Sequence, residues 1–129
     1  MAKKRVFKTR SFARWSKKHL DDEKLCEAAR EIENGQFEAD LGGGVCKKRI
    51  ALEGKGKSGS TRALVAHQCS HGIFFLLGRD KSAPGSDFDD DEVEASKILA
   101  KSLKKASNER VDEMIGNGAV VEIPDEKDD

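Results

Sequence analysis

Eight basic residues, Lys47, Lys48, Arg49, Lys55, Lys57, Arg62, Arg79 and Lys81, lie in or beside three consecutive strand-like stretches of this chain. Side chains alternate between the faces of an extended strand, so Lys47 and Arg49 share one face. If the three stretches are neighbours, Arg62, Arg79 and Lys81 join them on one solvent-facing surface. Such a set neutralises phosphates, and a guanidinium can hold two oxygens of a reacting phosphate. The pattern alone fits polyanion binding or plain surface charge, and it does not specify catalysis.

Other groupings carry less. The segment Gly54-Lys55-Gly56-Lys57-Ser58-Gly59-Ser60 invites a nucleotide-binding reading, but a P-loop ending in Gly56-Lys57-Ser58 needs Gly at position 51, where Ala51 stands. The stretch that follows is strand-like, with no helix N-terminus to hold phosphate. The loop is therefore either a basic hairpin that follows an RNA backbone or a solvated turn. His67, Cys69 and His71 alternate like metal ligands or a general base, yet a turn near Cys69 breaks the alternation and no fourth ligand is evident. A polar hairpin end is the simpler account. His19 reads as a helix-terminal or surface residue. Asp87, Asp89, Asp90, Asp91 and Glu92 lack EF-hand spacing and suit a helix start. Trp15, with Phe12 and Leu20 near it, reads as core more readily than as a base-stacking ring.

Composition narrows the setting. The 129 residues suffice for one domain with a modest core, since 36% are apolar and 37% charged. Six Phe, one Trp and no Tyr argue against a broad base-stacking platform. Residues 1–62 carry 16 Lys and Arg against 9 Asp and Glu, and residues 63–129 carry 8 against 15, so a net charge of zero hides a strong asymmetry. A basic face follows if sequence halves correspond to faces; if they mix, the charges cancel. No apolar run is long enough to span a membrane, and the basic start at residues 3–5 is not followed by a signal-type apolar run. Cys26, Cys46 and Cys69 form no CxxC pair and read as reduced thiols. The expected location is cytoplasmic.

These residues need elements to position them. Val6 and Phe7 suggest a short opening strand. Ser11 is a candidate cap for a helix using Phe12, Ala13 and Trp15. Asp21 caps a second, with Leu20 and Leu25 as a staple, Leu25, Ala28, Ala29 and Ile32 as its stripe, and Asn34-Gly35 as its stop. After the loop at Gly42-Gly43-Gly44, strands are expected at 45–52, 62–68 and 73–77, the last the most apolar and central. Gly54–Gly59 joins the first two and Cys69–Gly72 turns between the second and third, so neighbouring antiparallel strands follow. An Asp cap with Phe88, Asp89, Glu92 and Val93 opens a long helix whose apolar face has Val93, Ala100 and Leu103, with Ile98 and Leu99 alongside. Ser107 caps a fourth helix to Ile115, closed by Gly116-Asn117-Gly118. Ala119–Ile123 adds an edge strand. The expected organisation is one domain over 1–123 and a polar tail over 124–129.

The run from Asp40 through Gly42-Gly43-Gly44-Val45-Cys46-Lys47-Lys48-Arg49-Ile50, then Gly54-Lys55-Gly56-Lys57-Ser58-Gly59 with Arg62, and Phe74-Phe75-Leu76-Leu77-Gly78 with Lys81, resembles the RelE/HigB-type toxins of bacterial type II toxin–antitoxin systems. The likeness is to the HigB-related branch of the RelE/ParE superfamily, and it spans roughly residues 5–105. Gly78-Arg79-Asp80-Lys81 stands where the branch usually has an aromatic after the glycine, and Ser60-Thr61 where it has Gly and an aromatic. The resemblance implies a compact α/β (α+β) fold, an N-terminal strand and two helices packed on a mainly antiparallel sheet, with C-terminal helices. It also implies a metal-independent endoribonuclease, an mRNA interferase that inhibits translation on the ribosome. No cofactor is expected. The implied partners are a cognate antitoxin, the ribosome and mRNA, with operator DNA reached only through the antitoxin.

On this chain the resemblance places the basic functional surface at Lys47, Arg49, Lys57, Arg62 and Lys81. With Arg79 and Lys55 added from the basic residues in and beside the strands, the expected catalytic set is Arg62, Arg79, Lys57 and Lys81, and Lys47, Arg49 and Lys55 bind RNA. The RNA 2′-hydroxyl attacks the adjacent phosphate, which DNA cannot copy. The protein aligns the attack and stabilises charge on the phosphorane, first through Arg62 and then Arg79. Lys57 and Lys81 hold phosphates or protonate the leaving oxygen, and Lys47 and Arg49 dock RNA. The general base is a Lys with a depressed pKa, or His67 or His71 if the fold brings one beside the phosphate. The competing readings are a non-catalytic RNA- or antitoxin-binding module of the same fold, and a toxin of the related gyrase-targeting branch.

Overall fold

A computed structural model describes residues 4–17, 21–51, 60–80 and 88–124. The chain runs β1 (Arg5–Thr9), α1 (Arg10–Ser16), α2 (Asp22–Glu33), β2 (Ala39–Gly42), β3 (Val45–Ala51), β4 (Ser60–Ala66), β5 (Gly72–Asp80), α3 (Asp90–Lys105), α4 (Asn108–Gly116) and β6 (Val120–Ile123). The strands form a single six-stranded sheet ordered β2-β3-β4-β5-β1-β6. Only β1 and β5 pair in parallel; every other neighbouring pair is antiparallel. The expected mixed α/β fold, with an opening strand, helices on a mainly antiparallel sheet and C-terminal helices, is the one observed.

Strand alternation divides the apolar residues between two cores. One face of the sheet gives Val6, Cys46, Ile50, Ala63, Val65, Ile73 and Phe75 to a core closed by Phe12 of α1 and the Leu25, Ala28, Ala29 and Ile32 stripe of α2. The other gives Phe7, Val45, Leu64, Ala66, Phe74 and Leu76 to a core closed by Ala100 and Leu103 of α3 and Val111 of α4. A sheet sandwiched this way needs apolar residues on both faces, hence the unbroken run in β5.

The helix starts follow from side-chain capping. Asp21 accepts from the Lys24 N–H at 2.9 Å, and Ser107 from the Arg110 N–H at 3.1 Å, both as expected. Asp89 and Glu92 form a reciprocal capping box, with Phe88 and Val93 both packed on the α3-side core. The first helix departs from expectation: Thr9, not Ser11, is its cap. Its hydroxyl accepts from the Phe12 N–H at 3.1 Å and donates to the Leu76 carbonyl at 2.9 Å, so β1 hands directly into α1 beside β5. Leu20, half of the staple expected for α2, lies outside the described residues.

Four further differences matter. The glycine-rich segment expected as a loop is flanked by a short strand, β2, and forms the β2–β3 turn, with φ of +83°, +63° and +83° at Gly42, Gly43 and Gly44. β4 begins two residues earlier than expected and ends two earlier, which puts Arg62 inside the strand. β5 continues to Asp80, so Arg79 is a strand residue too. Ile98, expected beside the apolar face of α3, is 71% exposed. It lies about 200° around the helix from both Ser96 and Ala100, which are buried.

Candidate nucleic-acid interface

The register of three strands determines the site. Arg49 of β3 is paired with Arg62 of β4, and Arg62 with Arg79 of β5. Directly paired residues project to the same side, with Cβ atoms about 4.5–5.5 Å apart. Three arginines therefore form one row across the middle of the sheet. Lys47, two residues before Arg49, shares their face. It is the face of Val45 and Leu64, which pack toward α3 and α4. Arg49 is exposed, and Lys47, Arg62 and Arg79 are partly buried.

A β-bulge aims Arg79. The β4–β5 register shifts between Leu64, paired with Leu77, and Val65, paired with Phe75, which leaves Leu76 as the extra residue. Leu76 and Leu77 both pack on the α3-side core, and alternation resumes with Arg79 on that side and Gly78 on the other. Gly78 is required there: a Cβ would come within 2.2 Å of the Trp15 ring. Trp15 thus lies across β5 on the α1 side, with Phe12 at 5.4 Å between ring centroids, and packs, partly buried, against the core there.

Two hydrogen bonds hold the row in place. The buried Thr61 hydroxyl donates to the Arg79 carbonyl at 2.7 Å, fastening β4 to β5 beside the arginines. The Glu38 carboxylate accepts from the Arg49 N–H, fixing the far end of β3. Glu38 was not singled out from sequence, because its role depends on β2 pairing with β3.

The structure separates residues that sequence had grouped together. Lys48 points to the opposite face, where its side chain is 8% exposed, ion-paired to Glu31 at 2.8 Å and donating to the Gln36 carbonyl at 2.9 Å. It ties α2 to the sheet. Other basic residues of the N-terminal half are also engaged: Arg5 makes two 2.8 Å hydrogen bonds to Glu122 of the acidic half, and Lys8 pairs with Asp22 at 3.0 Å. The two sequence halves thus mix where β1 meets β6. Lys55, Lys57 and Lys81 lie outside the described residues.

Neither His67 nor His71 reaches the arginines, and His19 lies outside the described residues. His67 follows the other end of β4, five residues from Arg62, or about 17 Å of extended chain. Its ring lies 5.1 Å from Phe37, and burial, aided by Lys4 and opposed by Asp40, lowers its pKa from the usual value. His71 lies beyond the start of β5, and its Nε2 meets the Ala106 carbonyl. Neither is a general base for a phosphate held by the row. No His, Cys, Asp or Glu cluster among the described residues could hold a metal. Cys26, Cys46 and Cys69 are buried and form no disulfide with one another. Burial pushes Cys46 up to about 12 and also raises Cys69, so neither is a ready nucleophile.

The family model described as the RelE toxin of the RelE / RelB toxin-antitoxin system matches residues 4–123, which take in every strand and helix above. The chain belongs to the RelE toxin family. Membership carries a toxin-type role in a toxin–antitoxin system and a cognate antitoxin as partner. No curated protein and no solved structure matches the chain. Among the described residues, no helix of this RelE-family protein is long and apolar enough to cross a membrane.

Proposed function

We propose that this RelE-family protein is a ribosome-dependent mRNA endoribonuclease of the HigB-related branch, and that the Arg49–Arg62–Arg79 row is where it meets the reacting phosphate. The observation that carries this reading is the register itself. Arg49 faces Arg62 and Arg62 faces Arg79 on neighbouring strands. Guanidinium groups gathered on one face this way can grip successive oxygens of a phosphate backbone.

The roles follow from position. Arg62, on a central strand and flanked by both other arginines, is the main clamp for the two non-bridging oxygens, where charge grows in the phosphorane. Arg79 assists from β5. Arg49 and Lys47, nearer the sheet edge, hold the neighbouring backbone, with Lys55, Lys57 and Lys81 contributing from their segments. The nucleophile is the RNA's own 2′-hydroxyl, which leaves a 2′,3′-cyclic phosphate and a free 5′-hydroxyl. With His67 and His71 distant, we assign proton transfer to a lysine or to a group supplied by the ribosome.

The test is to incubate purified protein with an mRNA, with and without translating ribosomes, and to identify the new ends. Ribosome-dependent cuts bearing 2′,3′-cyclic phosphate support the reading. No cuts with folded protein and active ribosomes would leave a binding protein of the same fold.

A further inference from the structure

A second set of cations lies on the same side of the sheet as the arginines. Lys97, Lys101 and Lys104 are spaced i, i+4 and i+7 and so follow one face of α3. That face and the β2–β3 glycine turn enclose a groove, lined by the three lysines with Asp40, Gln68 and Ile98. The turn seats the first lysine closely, for a Cβ on Gly43 would meet the Lys97 Cγ at 3.1 Å. Asp40 is the one carboxylate among the described residues of the lining, and its Oδ1 accepts from the Gly42 N–H at 2.9 Å. Lys97 is only loosely paired, 3.8 Å from Glu94, and neither Lys101 nor Lys104 has a hydrogen-bond or ion-pair partner among the described residues.

Val45 at the groove end of β3 packs toward α3, and Arg49 projects to that same side four residues later. The groove and the arginine row are thus separated by about 13 Å of strand. One extended polyanion can touch both.

We propose that the Lys97–Lys101–Lys104 groove is a second docking site for the phosphate backbone of the RNA strand held at the arginine row. The proposal rests on the RNA-cleavage reading and adds to it a binding surface on α3. Three lysines on consecutive turns match a run of phosphates in charge, and the exposed Ile98 beside them offers an apolar contact to a ribose or base.

The test uses the full chain and two RNAs made non-cleavable by 2′-O-methylation, a trinucleotide and a strand of roughly 12 nucleotides. Affinities are measured across a salt series for wild type, Arg62→Ala and a triple variant, Lys97→Gln with Lys101→Gln and Lys104→Gln. The triple variant is expected to lose about tenfold or more in affinity for the long strand and about 2 in its salt slope, with trinucleotide binding unchanged. Equal binding of both RNAs by the triple variant and wild type, with loss in Arg62→Ala, overturns the groove and leaves the arginine reading standing. Failure of wild type to bind either RNA removes both. Poly-glutamate binding that is lost in the triple variant while RNA binding persists assigns the groove to an acidic polypeptide and also overturns the proposal.

Discussion

Arg62 stands directly opposite Arg79 on neighbouring antiparallel strands, and a one-residue bulge at Leu76 is what puts Arg79 on that face. Without the bulge, alternation from Leu76 would turn Gly78 toward Arg62 and Arg79 toward Trp15. The site thus depends on the register of β5 as much as on the identity of its residues.

Removing the Arg49 charge should not weaken the fold. Arg49 is exposed and faces Arg62. Arg49→Gln is expected to leave stability unchanged or to raise it by about 0.2–1 kcal/mol, most clearly at low salt, while weakening RNA binding. Urea denaturation at two salt concentrations, beside an RNA titration, checks both parts.

Lys47 and Lys48 are adjacent in sequence and opposite in role. Lys48→Ala should cost about 1–3 kcal/mol, because the Glu31 and Gln36 partners of a buried ammonium are lost, and should leave the salt slope of RNA binding intact. Lys47→Ala should reduce that slope by about 0.7 with little change in stability. Equal behaviour of the two variants would contradict the assignment of faces.

Gly78 is held by the ring above it. Gly78→Ala is expected to destabilise by about 1–3 kcal/mol, since Trp15 or β5 must move to admit a methyl group. Trp15 is the only tryptophan, so its fluorescence reports the displacement directly.

Acid should weaken the fold through His67. Its folded pKa is lowered, mainly by burial, with Lys4 pushing the same way and Asp40 opposing. As pH falls below the unfolded value of about 6.5, the unfolded state takes up the proton first. The stability that His67 contributes is therefore intact above that value and declines below it, until folded His67 is protonated as well. Urea midpoints at about pH 7.5 and about pH 5.5 should differ more for wild type than for His67→Gln.

Much of this was legible in the sequence because the signals were local. Asp21, Asp89 and Ser107 are caps whose partners lie three residues away, and the apolar run at Ile73–Leu77 marks a strand buried on both faces. What escaped was non-local. Thr9 displaces Ser11 as a cap because its hydroxyl also binds the Leu76 carbonyl, 67 positions along the chain. β2 is short and exists through its pairing with β3. The basic residues could be found by type, but their separation into an arginine row, a structural Lys48 and a lysine groove on α3 required the register and the bulge. Distance along extended strands, which sequence could not supply, removed His67 and His71 from the chemistry.

The most direct test of the central claim is single-turnover cleavage of an mRNA on programmed ribosomes by wild type and Arg62→Ala, with urea stability and affinity for uncleavable RNA measured on the same samples. The account predicts that the variant stays folded, loses about tenfold or less in affinity, and loses about a hundredfold or more in cleavage rate, because its largest contribution is made in the transition state. A folded variant that cleaves at the wild-type rate would contradict the placement of the reacting phosphate at Arg62, and equal losses in rate and affinity would contradict its catalytic role.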